Sequence, residues 1–136
     1  MTVRLLSYMA AAMVAVFSYA GLNAQDKGYD VFVPIAKYVS QGDAERLSAW
    51  FSDNLEVTIF ASSNDASRNQ ARQIMKSFFK SYTPRSFEIT HKAGRSNMKY
   101  AIGTLNAGGE MFLVTLFVNY KDNACRIQQI KIERID

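Results

Sequence analysis

His91, Cys125 and Trp50 each occur once in the 136-residue chain, so any chemistry must be built around very few groups. Histidine is the natural proton carrier near neutral pH. Phe87, Ile89 and His91 share one strand parity, and Tyr100 has the same inward parity on the neighbouring strand. A base beside a phenol could move a proton and donate to a developing oxyanion. Such a base needs a carboxylate to orient it, and none shares that parity on strands 87–91, 98–104 or 111–120. Glu56 and Glu88 alternate outward, and Glu110 sits at a hairpin. No residue is therefore assigned as catalytic. Trp50, His91 and Tyr100 are expected to line a pocket as ligand contacts.

Other chemistries lack parts. A single cysteine allows no internal disulfide, no thiol pair and no cysteine zinc site. Cys125 reads as a core or half-buried thiol. No G-x-S-x-G elbow occurs. Gly108-Gly109 lies between strands without the Lys-Ser/Thr and following helix of a phosphate loop. Ser62-Ser63-Asn64-Asp65 falls short of the carboxylates of a calcium loop. No metal and no cofactor is expected. Arg85, Lys92, Arg95 and Lys99 read as a solvated basic face rather than an anion site.

The N-terminus reads as an export signal. Arg4 precedes the apolar run Leu5 to Ala20, and Leu22-Asn23-Ala24 offers a small-residue exit. The run is shorter than the roughly 20 residues that span a bilayer. Residues 1–24 are thus expected to be a signal peptide, cleaved before Gln25, with no membrane span left afterwards. Residues 25–136 then form one domain, periplasmic or extracellular. Losing Arg4 lowers the formal charge of +4 by one. That is far from a nucleic-acid-binding signature.

The elements that must position these residues follow from periodicity. Phe32, Ile35, Ala36 and Val39 give one helix, with Pro34 in its first turn and Gly42 as its stop. Asp43 caps a second helix whose apolar face is Ala44, Leu47, Trp50 and Phe51, and Asn54 breaks it. Leu55, Val57 and Ile59 alternate as a strand. Ala61 to Asp65 reads as a polar turn. Ser67 and Gln70 have the form of a capping box for a third helix carrying Ala71, Ile74, Met75, Phe78 and Phe79. Strands then run through Phe87 to Lys92, Met98 to Thr104, Met111 to Tyr120, and Cys125 to Ile132. A bulge at Gln128-Gln129 would restore one buried face to the last strand.

The predicted fold is α+β, with three helices in the N-terminal half packed in a strongly bent, mostly antiparallel sheet. This order, with Gly42-Asp43-Ala44 and Leu47 followed by Trp50-Phe51-Ser52-Asp53, resembles the nuclear transport factor 2-like cone fold, an α+β roll. FVPIAKY at Phe32 to Tyr38, SSNDASRNQARQIMK at Ser62 to Lys76, YTPR at Tyr82 to Arg85 and QQIKIE at Gln128 to Glu133 resemble a secreted bacterial family of that fold, a domain of unknown function. The resemblance implies fold and envelope location but no activity.

The chain is thus expected to be an exported non-catalytic domain that binds a small apolar ligand or a protein partner in or over its cone. Two alternatives stay open. One is isomerase- or dehydratase-like acid–base chemistry using His91; the other is a purely structural homodimerisation domain. The strand Met111 to Tyr120 is apolar on both faces, and one face is left with nothing to cover it. A homodimer through Leu113, Thr115 and Phe117, or through the opposite set, is the expected remedy.

Overall fold

The computed structural model describes residues 30–135. The expected signal peptide, residues 1–24, lies outside the described residues. The chain divides after Val31, and every element belongs to the unit that begins at Phe32.

Helix α1, Phe32–Gln41, buries Phe32, Ile35 and Val39. Gly42 ends it in the left-handed region at φ +66°. The N–H of Gly42 donates to the Val39 carbonyl at 3.1 Å and that of Asp43 to Tyr38 at 2.9 Å. These two bonds satisfy carbonyls that the helix end leaves open. The Asp43 side chain then accepts from the Arg46 N–H at 3.0 Å and starts α2, Ala44–Ser48.

α2 is shorter than the apolar spacing predicts. The Trp50 carbonyl accepts from Ile127 N–H at 2.6 Å. The chain thereby joins the sheet, and Phe51 opens strand β1, Phe51–Ile59, rather than closing a helix. Ala44, Leu47 and Phe51 are all buried, so burial is right while the backbone differs. A second correction concerns Ala61 to Asp65. The turn shrinks to Phe60-Ala61, and Ser62–Ser67 forms β2, antiparallel to β1 from Ile59↔Ser62 to Asn54↔Ser67. Backbone pairing carries this strand, because only Ala66 in it is buried.

Helix α3, Arg68–Ser81, begins with the expected capping box. Ser67 accepts from Gln70 N–H, and the Gln70 side chain accepts from Ser67 N–H. It buries Ala71, Met75, Phe78 and Phe79. Strands β3 (Pro84–Gly94), β4 (Met98–Ala107), β5 (Glu110–Lys121) and β6 (Ala124–Arg134) follow. The six strands lie in the order β2-β1-β6-β5-β4-β3. Only β1 and β6 run parallel; the other pairs are antiparallel.

One face of this sheet is the core. Ala101, Leu105, Phe112, Val114, Leu116, Ile127, Ile130 and Ile132 are essentially inaccessible there. The bulge in β6 falls where the sequence predicts it: Phe117 pairs with Gln129 and Val118 with Ile127, leaving Gln128 extra. That one residue keeps Ile127, Ile130 and Ile132 on the same face.

Candidate functional site

A second bulge changes where the only histidine goes. In β3, Ile89 pairs with Gly103 but His91 pairs with Ile102, so the register slips between them. Phe87 and Ile89 face the core side, while His91 lands on the opposite, outer face. Tyr100 is on that face too, because its neighbour Ala101 is the buried one. The expectation that both point into the cone is therefore corrected. A one-residue slip exchanges the faces of every residue beyond it.

His91 and Tyr100 do meet. The phenol oxygen lies 3.4 Å from His91 Nε2, and the rings are 5.7 Å apart. Phe117 continues the row, 5.5 Å from Tyr100. Trp50 is not with them. It sits half-buried at the α2–β1 junction, and β6 and β5 lie between β1 and β4. Among the described residues no three His, Cys, Asp or Glu side chains could hold a metal ion. Cys125 is half-buried at the end of β5–β6 pairing. Burial pushes its thiol above the ordinary range, with Lys99 opposing in part. A thiol so shifted holds little thiolate for attack.

A different site emerges between α3 and the β1–β2 hairpin. An open groove of about 490 Å³ runs there. Ile59, Phe60, Ser62 and Asn64 make one wall; Gln73, Ile74, Ser77, Phe78, Ser81 and Tyr82 make the other. No charged residue lines it. The floor is aromatic and aliphatic, and the rim consists of hydroxyls and amides. Such a lining takes an apolar group and orients it through uncharged hydrogen bonds.

The floor is held by strain and stacking. Phe60 has φ +58°, a left-handed conformation that is unusual for a bulky side chain. Its N–H donates to the Ile132 carbonyl at 2.9 Å. Its ring packs on Phe78, Tyr82 and Phe112 at centroid distances of 6.3, 6.1 and 5.9 Å. The Arg134 guanidinium covers the Phe60 ring at 3.9 Å. Arg134 also donates to the Tyr82 hydroxyl at 2.8 Å and to Glu110 at 3.3 Å. Strained backbone kept in place by this many contacts is often found at binding sites.

Sequence reasoning missed this groove. Its spacing puts Ile74 in the core stripe, but it is only half-buried, as part of the groove wall. The available signal was the row Gln73, Ser77 and Ser81, four residues apart, beside the apolar stripe of α3. A second depression of about 280 Å³ lies near Asp53, Arg68, Lys121 and Arg126. Its arginines are already engaged: Arg68 with Asp53 at 3.0 Å and Phe51 carbonyl at 3.1 Å, Arg126 with Ala49 carbonyl at 3.0 Å.

The profile of a family described as "Domain of unknown function (DUF4783)" matches residues 32–133. A crystal structure of a DUF4783 family protein from Bacteroides uniformis is 25% identical, covers 79% of this chain and 99% of that one, and superposes with a TM-score of 0.76. One from Bacteroides fragilis is 24% identical, covers 78% and 100%, and gives a TM-score of 0.74. An NTF-2 like protein of unknown function from Silicibacter pomeroyi shares 15% identity over 89% of this chain and 98% of its own, with a TM-score of 0.57. No curated protein matches the chain.

Proposed function

The chain belongs to the DUF4783 family, and from that premise we propose that it is a non-catalytic binding domain of the NTF2-like fold whose groove between α3 and the β1–β2 hairpin takes an apolar group. The observation that carries this reading is the groove itself: about 490 Å³, floored by Phe60, Ile74 and Phe78, and rimmed by uncharged hydrogen-bonding side chains. His91 is exposed on the outer face of the sheet, outside this groove, which weighs against the acid–base alternative. The test uses Nile red, a neutral apolar dye whose emission shifts to the blue when it leaves water. The protein should give that shift, and Ser77→Trp, which fills the groove from its rim, should abolish it. No shift, or a shift that survives Ser77→Trp, would overturn the reading.

A second reading concerns assembly. It is supported by the outer sheet face, where Tyr100, Ile102, Leu113, Thr115 and Phe117 are contiguous in register and half-exposed, beside Met98 at 50% and Met111 at 44% exposure. We propose that this face pairs with a second copy across a two-fold axis, which buries both patches at once. In this reading His91 and Tyr100 are interface residues. Sedimentation should give a dimer at micromolar concentration and a monomer for Phe117→Glu.

The third element of the proposal is export. Arg4, the apolar run Leu5 to Ala20 and the exit Leu22-Asn23-Ala24 support a cleaved leader and a place in the periplasm or beyond the cell. Mass spectrometry of the exported protein should find Gln25 first. Intact Met1 to Ala24 in a membrane fraction would count against it. Among the described residues no helix is long and apolar enough to cross a membrane.

A further inference from the structure

The two edges of the sheet are unlike. β3 forms one edge and begins with Pro84-Arg85, carries Lys92, and bulges between Ile89 and His91. Proline, cations and bulges are the devices that keep a sheet edge from accepting another strand. β2 forms the other edge, with the sequence Ser-Ser-Asn-Asp-Ala-Ser. It has no proline, no cation and no slip in its register with β1. Its first four residues are exposed.

That open edge borders the groove. Asn64 pairs with Val57 and Ser62 with Ile59, so both point to the core side of the sheet, and both line the groove. Among the described residues β2 has a strand neighbour on one side only. A chain laid along its free edge would repeat its pleat. Every second side chain would point to the core side and reach the groove over Ile74 and Phe78.

The outer side of β2 states what the intervening residue should be. Asp65 pairs directly across from Glu56. Like charges directly opposite each other disfavour the pair. Gln129 donates to Glu56 at 2.5 Å, which leaves Asp65 exposed as the outermost charge of that row. A cation on the next strand would sit beside it and relieve the repulsion.

We propose that the free edge of β2 is a docking strand for an extended polypeptide segment, with apolar side chains at alternate positions entering the groove and a lysine or arginine between them meeting Asp65. This rests on the groove reading and names the class of its occupant. Backbone hydrogen bonds would give the affinity, and the groove would select the alternating side chains. β2 has six residues, about 20 Å of edge, so a nine-residue peptide is long enough to cover it.

The experiment pans a phage-displayed library of random nine-residue peptides on the immobilised protein, then measures the selected peptides as synthetic ligands. Enriched sequences should show apolar residues two apart with a basic residue between. Binding should weaken at least tenfold when alternate peptide nitrogens on one edge are methylated, and several-fold for Asp65→Asn. Methylation acts on the peptide alone, so the result does not depend on a variant folding. No enrichment, enrichment of helical three- and four-residue spacing, or binding indifferent to methylation on either edge would overturn the proposal. Nile red separates the two levels of failure. If the dye still binds and loses its site in Ser77→Trp while no alternating peptide is selected, the docking strand falls and the groove reading stands. If the dye gives no shift, the groove reading falls as well.

Discussion

The inner and outer faces of the sheet are made by the same strands, yet a side chain meets different neighbours on each. On β5, Phe112, Val114, Leu116 and Val118 are buried, while Leu113, Thr115 and Phe117 alternate with them at intermediate exposure. Both sets are largely apolar. What separates them is cover: the first set is closed off from solvent, whereas the second meets side chains of its own face, as Phe117 meets Tyr100 at 5.5 Å, and stays half-exposed. Apolar character alone therefore fixes neither burial nor function. Among the described residues the outer face is the one left half-exposed, and it is the face on which the assembly proposal rests.

The inner face should be the more sensitive to substitution. Phe78 is 5% exposed and touches Phe60, Phe79, Tyr82 and Phe112 within its aromatic cluster. Phe78→Ala should cost about 3–5 kcal/mol through lost transfer energy and an incompletely closed cavity. Urea unfolding would read this as a lowered midpoint. A midpoint that stays put would mean that the two faces are not energetically distinct.

Gly103 probes the same face from the opposite direction. A Cβ there would come within 2.6 Å of the Phe87 ring and 2.8 Å of the Glu88 carbonyl. The strand needs the bare backbone because Phe87 crosses it. Gly103→Ala should destabilise by about 1–3 kcal/mol through overpacking, again seen in urea. The double variant Gly103→Ala with Phe87→Leu should recover part of that loss.

On the outer face the expected effect moves from folding to assembly. Phe117→Glu should change monomer stability by less than about 1 kcal/mol, the span of strand preferences on a half-exposed surface. It should convert a dimer to a monomer in sedimentation. If instead it unfolds the protein, the outer face is part of the core, and the contrast between faces fails.

Much of this contrast was legible in the sequence, and the exceptions have physical causes. The alternation on β5, the capping box at Ser67 and the bulge near Gln128 all follow from side-chain type and spacing, which are local. The bulge between Ile89 and His91 left no such trace. Glu88, Thr90 and Lys92 alternate smoothly with Phe87, Ile89 and His91, so only pairing with β4 reveals the slip. β2 was hidden for a similar reason: Ser62 to Asp65 has turn composition, and it becomes a strand by hydrogen bonding to β1. The groove needed both facts at once, since its two walls come from separate elements.

The smallest expected effect sits where the two faces meet. Cys125 has the parity of Ile127 but lies at the end of the strand, half-buried and opposite Tyr120. Burial raises its pKa and Lys99 opposes that in part. The neutral thiol is therefore favoured more in the folded than in the unfolded chain. A raised folded pKa means that its contribution to stability is complete below the unfolded thiol value, about 8.5. It is lost as pH climbs through the folded one, because the folded state then holds the proton that the unfolded state has released. Stability measured from pH 7 to pH 10 should fall slightly more steeply in the native protein than in Cys125→Ser, which has no such titration. Iodoacetamide at pH 8 should alkylate the folded thiol more slowly than the same thiol in urea, because only the thiolate reacts. Equal rates in both states would show Cys125 to be as open as the outer face, and the boundary of the core would then lie before it, at Ile127.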